Sequence, residues 1–324
     1  MKKQILFTIC TVMAMAVLEG CSTNQNYVTK SADISETFPI EATDAGENPQ
    51  TAKSDGPYAI FHTTAGDITV ILYPDQAPET VAYFISLAEQ GYYNGSPFDY
   101  IDKDNTIQAG TKGTDEEKTD EEKTDGEMTA GEKTAGEKTD GEKTNGEMTA
   151  GEMTGAEKSP AKEYDDGLHH FPGALAMAGG KTDAEKSQFY FIVNQEIPED
   201  QKLVSANLYM NELVRDGTLE LNEKNKESKM SEEEIKEYED QLNQKIQSIG
   251  TEGVPENVLQ RYQTALDTYM KIGGAYYLDY KSTVFGQVIK GLNVAEDLSK
   301  VHVDAVKKPK QELVVNSIEI KDNL

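Results

Sequence analysis

Tyr58-Ala59-Ile60-Phe61-His62-Thr63-Thr64-Ala65-Gly66-Asp67-Ile68-Thr69-Val70-Ile71-Leu72-Tyr73 is the stretch on which the fold turns. Two runs rich in β-branched and aromatic residues flank Ala65-Gly66-Asp67, which predicts strand, tight turn, strand. Pro74-Asp75 ends the second run. Pro78 then suits the first turn of a helix and Glu79 its positive dipole end, while Val81, Phe84, Ile85 and Ala88 recur at helical spacing and Gly91 marks the stop. Ser96-Pro97-Phe98-Asp99-Tyr100-Ile101 reads as a further strand.

Outward from this segment the chain changes character. Upstream, Lys2 and Lys3 precede an apolar run from Ile5 to Leu18, the layout of a secretory signal and too short for a comfortable permanent span. Leu18-Glu19-Gly20-Cys21 resembles a bacterial lipobox, with Glu19 where a small residue is usual, so residues 1–20 are expected to be a signal peptide and Cys21 the lipidation site. The expected location is extracytoplasmic, lipid-anchored to a bacterial cell membrane or outer membrane. Residues 21–55 are polar and read as a flexible tether. The only other cysteine is Cys10, inside the signal, which leaves no internal disulfide.

Charge and composition exclude one class of partner. The 324 residues carry 58 acidic against 31 basic side chains, a net charge of −27, which repels phosphate backbones, so nucleic acid is not an expected partner. The hydrophobic fraction is 37%, so one domain with non-core additions is expected, acting as a monomer. Two additions are visible. Residues 111–163 hold nine five-residue units from Thr114 to Lys158, a period that matches neither helix nor strand, and read as a disordered acidic loop. Residues 199–274 read as a helical hairpin packed on the main core. Ser231 with Glu234 makes a capping box ahead of Ile235, Tyr238, Leu242, Ile246 and Ile249. Pro255 opens a second helix bearing Val258, Tyr262, Ala265, Leu266, Tyr269 and Ile272.

Three blocks flank these insertions. The first holds Phe61 to Asp67, Ala77-Pro78-Glu79-Thr80-Val81, Gly91-Tyr92-Tyr93, Phe98 and Ile107-Gln108-Ala109-Gly110. The second holds Pro172 to Ala178 and Ser187-Gln188-Phe189-Tyr190, and the third runs from Leu278 through Phe285-Gly286-Gln287-Val288 and Gly291-Leu292 to a final strand, Leu313 to Ile320. Read in order over about 140 residues, they resemble the cyclophilin-type peptidyl-prolyl isomerases. The resemblance implies a mainly β fold over residues 56–321: a closed, antiparallel, eight-stranded barrel capped by two helices, here Val81 to Gln90 and Asn293 to Val301. It further implies proline-containing polypeptides as substrates and isomerisation without a cofactor or metal.

Rotation about an X-Pro bond faces a barrier of about 20 kcal/mol, and catalysis requires only that the twisted amide be bound more tightly than the planar forms. By resemblance, an arginine and an apolar proline pocket do this. Phe98-Asp99-Tyr100-Ile101 stands at the arginine-bearing motif, and ten residues separate Phe98 from Gln108 as the family spacing requires, so Tyr100 occupies the arginine position. Tyr100 and Gln108 are the candidate catalytic residues; Tyr100 reads equally as a phenolic donor or a strand residue, and Gln108 as a ligand to substrate or to buried backbone. Phe98, Asn105, Thr106, Ala178, Gln188, Phe189, Tyr190, Tyr277, Ser282 and Phe285 are the candidate groove residues. Asn105 and Thr106 stand where Phe and Met are usual, Tyr277 for a tryptophan and Ser282 for a histidine, while Phe189 and Phe285 read equally as core. The His169-His170 doublet lacks partners at ligand spacing and does not define a metal site.

Overall fold

The structure, a computed structural model, describes residues 48–52, 55–112, 159–179 and 187–324. The signal peptide, Cys21, most of the tether and the pentapeptide repeat lie outside the described residues. The first two runs form β1 (Tyr58–Thr63) and β2 (Gly66–Leu72), paired antiparallel with Thr63 opposite Gly66. Helix α1 (Pro78–Glu89) follows, with Pro78 at its start and Val81, Phe84, Leu87 and Ala88 buried. Next come β3 (Ser96–Pro97), β4 (Tyr100–Asp102), β5 (Thr106–Ala109), β6 (Ala174–Met177) and β7 (Phe189–Ile192). After the helical insertion, β8 (Val284–Lys290), helix α5 (Leu292–Ser299) and β9 (Val314–Lys321) complete the sheet and its second flanking helix.

The sheet has nine strands in the order β3-β9-β1-β2-β8-β6-β7-β5-β4, and every pairing is antiparallel. This corrects the expected closed eight-stranded barrel: the sheet is curled but open. Its two edge strands, β3 and β4, are consecutive in the chain and separated only by Phe98 and Asp99. The Phe98 N–H donates to Leu313 O on the β9 side (2.8 Å), whereas the Asp99 N–H donates to Gln108 O on β5 (3.2 Å). What reads as one strand is thus shared between both ends of the sheet. Pro97, which has no N–H, stands at the break.

Alternation along the strands sorts side chains into two layers. Phe61, Val70, Leu72, Phe84, Ile107, Phe189, Phe191 and Phe285 fill the concave interior, where Phe61 meets Phe191 edge to face at 5.1 Å. Ile71, Tyr73, Ala174, Ala176, Tyr190, Ile192 and Val284 face outward and are covered by residues such as Leu168, Tyr277 and Leu278.

The 199–274 insertion holds three helices rather than a hairpin: α2 (Gln201–Ser228), α3 (Glu232–Glu252) and α4 (Glu256–Ile272). The capping box forms as expected, with the Glu234 N–H donating to Ser231 Oγ and the Ser231 N–H to Glu234 Oε2. Helix α2 admits α3 closely at Gly217, where a Cβ would lie 2.6 Å from Leu242 Cδ2. Val204, Leu208, Val258, Tyr262 and Tyr269 pack with Phe171 and Tyr280, which joins the insertion to the segments covering the outer face. The tether also ends earlier than expected. Pro49–Ala52 forms a 3-10 turn whose Gln50 is fully buried, its Nε2 donating to Gln287 Oε1 (3.2 Å) and its carbonyl accepting from Tyr73 Oη (2.8 Å).

Candidate active site

The register of four strands assembles the site. Tyr100 lies opposite Gln108, Gln108 opposite Tyr190, and Tyr190 opposite Ala176, so these residues form one row on the outer face. A second row holds Asp102, Thr106 and Ile192. Within the first row Tyr100 is 37% exposed, and Gln108 Nε2 donates to Gln188 Oε1 at 2.9 Å. The structure therefore brings together Tyr100, Gln108, Gln188, Tyr190 and Thr106. Phe98, Phe189 and Phe285 are not groove residues: all three belong to the interior cluster, because each sits one step of the pleat away from the outer face or at the turn beneath it.

Asn105 joins the rim by its hydrogen bonds. Its Oδ1 accepts from Tyr277 Oη (2.6 Å) and Asn194 Nδ2 (3.2 Å), and its own Nδ2 donates to Asp102 Oδ2 (3.0 Å). Ala178 and Tyr277, both partly buried, pack on the outer apolar layer. Burial and its contacts with neighbouring acids and phenols push the Tyr190 hydroxyl well above the usual phenol range, so Tyr190 is a neutral donor.

Beneath this face lies a network that the motif comparison does not contain. Asp279 is buried, and its two oxygens accept four hydrogen bonds. Oδ1 receives the His170 N–H and His170 Nδ1, both at 2.8 Å; Oδ2 receives His169 Nδ1 at 2.7 Å and Tyr269 Oη at 2.9 Å. A carboxylate only accepts, so each imidazole carries its proton on Nδ1. Burial alone would raise the Asp279 carboxyl, but the adjoining His169 and His170 outweigh it and hold it well below the usual carboxylate range. His170 Nε2 then faces Tyr190 Oη (3.0 Å) and Ser282 Oγ (3.1 Å), and those two hydroxyls bond each other.

Asp279, His170 and Ser282 stand in the bonding order of a nucleophilic triad. Ser282 is buried, its hydroxyl is engaged by both His170 Nε2 and Tyr190 Oη, and it borders a cavity of about 80 Å3 with Thr80, Met177, Gly179 and Thr283. The chain of bonds instead fixes Tyr190 and Ser282 from below. Among the described residues, no group of three or more His, Cys, Asp or Glu side chains is placed to hold a metal ion.

Sequence reasoning missed the network because Asp279 and its histidines are 109 and 110 residues apart. The His169-His170 doublet was its one visible sign. It also missed Lys307, whose ammonium stands 5.4 Å from the centre of the Tyr100 ring and 2.6 Å from Asp102 Oδ1.

A curled, open antiparallel sheet with two flanking helices and a polar row on its outer face defines a mainly β protein of the half-barrel class. The sequence model described as "Cyclophilin type peptidyl-prolyl cis-trans isomerase/CLD" matches residues 58–206 and 201–320. A relative from Staphylococcus saprophyticus that bears the name of a peptidyl-prolyl cis-trans isomerase is 27% identical over 264 residues, 81% of this chain and 90% of its own. One from Staphylococcus haemolyticus with the same name is 27% identical over 265 residues, again 81% of this chain and 90% of its own. A Streptococcus pyogenes relative named for a bifunctional phosphatase/peptidyl-prolyl cis-trans isomerase is 26% identical over 271 residues, 82% of this chain, which spans 39% of that longer protein. Among solved structures, a cyclophilin type peptidyl-prolyl cis-trans isomerase of Cryptosporidium parvum aligns with 83% of this chain and 99% of its own, at 16% identity and a TM-score of 0.43. The chain belongs to the cyclophilin-type peptidyl-prolyl cis-trans isomerase family.

Proposed function

We propose that this protein isomerises prolyl bonds of exported polypeptides from a lipid anchor at Cys21, at a rate limited by the altered rim of its groove. The observation that carries the reading is the outer row Tyr100–Gln108–Tyr190, in which an exposed phenol and a side-chain amide stand together at the family's motif positions. The reaction breaks no covalent bond. The groove has only to bind the twisted amide better than the planar one, for which hydrogen-bond donors on a partly desolvated face suffice. The Gln108–Gln188 pair orients one amide for this, and Tyr190, locked from below by His170, keeps the floor rigid.

One observation favours a second reading, a peptide-binding protein without turnover. Two positions that the resemblance assigns to an apolar proline pocket are Asn105 and Thr106, and Asn105 is already engaged by Tyr277, Asn194 and Asp102. A protease-free isomerisation assay on a proline tetrapeptide separates the two. Catalysis above the uncatalysed rate supports the isomerase; saturable peptide binding without acceleration supports the second reading.

A further inference from the structure

The strand that should carry the family's cation carries Tyr100, yet a cation stands over it. The turn Asp304–Lys308, closed by the Lys307 N–H to Asp304 O (3.1 Å) and the Asp304 N–H to Lys308 O (2.9 Å), docks on the free edge of β4. There Lys307 O accepts the Ile101 N–H at 2.8 Å. This contact aims the Lys307 side chain back across the outer face. Its ammonium lies 5.4 Å from the Tyr100 ring centre and donates to Asp102 Oδ1 at 2.6 Å.

We propose that Lys307 is a catalytic residue of the isomerisation, its ammonium replacing from a distant segment the arginine that Tyr100 displaces. The proposal rests on the isomerase reading above. Three features support it. Lys307 is half-exposed, so the ammonium is open to a ligand on one side while Asp102 and Tyr100 fix it on the other. Its hydrogen bonds to Asp102 and Tyr100, in both of which the ammonium donates, raise its pKa, so the charge is present throughout the physiological range. Its backbone adopts φ +65°, a left-handed conformation that glycine or asparagine holds at less cost, so the turn alone gives no reason for a lysine there. A charged N–H donor binds the deconjugated amide more strongly than a phenol does, and the aromatic face beneath it restricts where the flexible lysine can point.

The test compares the full chain with Lys307→Met, Lys307→Gln and Lys307→Arg in the protease-free tetrapeptide assay, with a thermal melt of each variant as the control for folding. Lys307→Met and Lys307→Gln are expected to lose at least tenfold in kcat/KM, mostly in kcat, while Lys307→Arg stays within threefold of the native protein. If the native protein is active and the folded neutral variants stay within threefold of it, Lys307 is not catalytic and the isomerase reading stands. If the native protein gives no acceleration at all, the isomerase reading falls and the proposal with it.

Discussion

Asp279→Ala removes the acceptor of four buried donors: His169 Nδ1, the His170 N–H, His170 Nδ1 and Tyr269 Oη. Breaking one side of a buried, charge-assisted network costs about 3–5 kcal/mol, because the stranded donors lose their partner without regaining bulk water. At about 2–4 °C per kcal/mol for a domain of this size, the melting temperature should fall by roughly 10 °C. Asp279→Asn should recover more than half of that loss. Its oxygen can keep the two His170 donors while its amide faces His169 and Tyr269, and both of these can accept instead, one by changing tautomer and one by turning its hydroxyl. The same carboxylate sets an acid limit. Its folded pKa lies below its ordinary value of 3.8, so the folded state holds its proton less readily than the unfolded one. Its stabilisation is therefore full above about pH 5, shrinks below about pH 4, and is lost as the pH falls through the folded value. Thermal and urea melts followed by circular dichroism from pH 3 to 8 measure both effects. A fall of less than about 3 °C for Asp279→Ala at pH 7, or an asparagine variant as unstable as the alanine one, would refute the network argument.

Glu163→Ala should destabilise the fold by about 1 kcal/mol, because the Glu163 carboxylate accepts the Glu79 N–H (3.1 Å) and Thr80 N–H (2.8 Å) at the start of α1, where the preceding Ala77 offers no side-chain cap. Urea midpoints report it, and an unchanged midpoint would show that water serves that helix end equally well. Gly274→Ala should cost about 2 kcal/mol or more, since the residue sits at φ +125° and its new Cβ would lie 2.7 Å from His170 O; a melting temperature equal to the native one would overturn this reading of the junction. Cys21→Ser should abolish incorporation of a labelled fatty acid by expressing cells. Equal labelling of the native and Cys21→Ser chains would remove the anchor at that residue from the proposal.

The parts of this protein that follow local rules were legible in the sequence. The β1–β2 hairpin, α1 and the capping box of α3 each rest on residues a few positions apart, and the spacing from Phe98 to Gln108 singled out Tyr100 and Gln108, which the structure sets opposite each other across β4 and β5. Local rules could not settle which side of the pleat each aromatic takes. Phe189 and Tyr190 are adjacent in sequence, and only the paired register sends the first into the core and the second to the outer face. Helix α2 escaped notice because its last quarter, from Asn222 to Ser228, is polar and exposed, and its buried positions Val204, Leu208, Leu213 and Leu221 keep no steady heptad-like stripe around Gly217.

The least legible features are those in which distant segments meet at the outer face of the sheet. Lys307 reaches Tyr100 from the turn before β9, more than two hundred residues away. Tyr269, at the end of the helical insertion, reaches Asp279; Asp279 holds His170, and His170 holds Tyr190 and Ser282 beneath the outer row. Phe171 and Tyr280, the chain neighbours of His170 and Asp279, belong to the same apolar cluster as residues of α2 and α4. An insertion joined to the sheet only by its loop ends would leave this network untouched. Here α4 contributes one of the four donors on the carboxylate that holds His170, so Tyr269 is linked through Asp279 and His170 to Tyr190. Tyr269→Phe is the smallest change that would cut this link while leaving the aromatic packing against Phe171, at 4.6 Å between ring centres, in place.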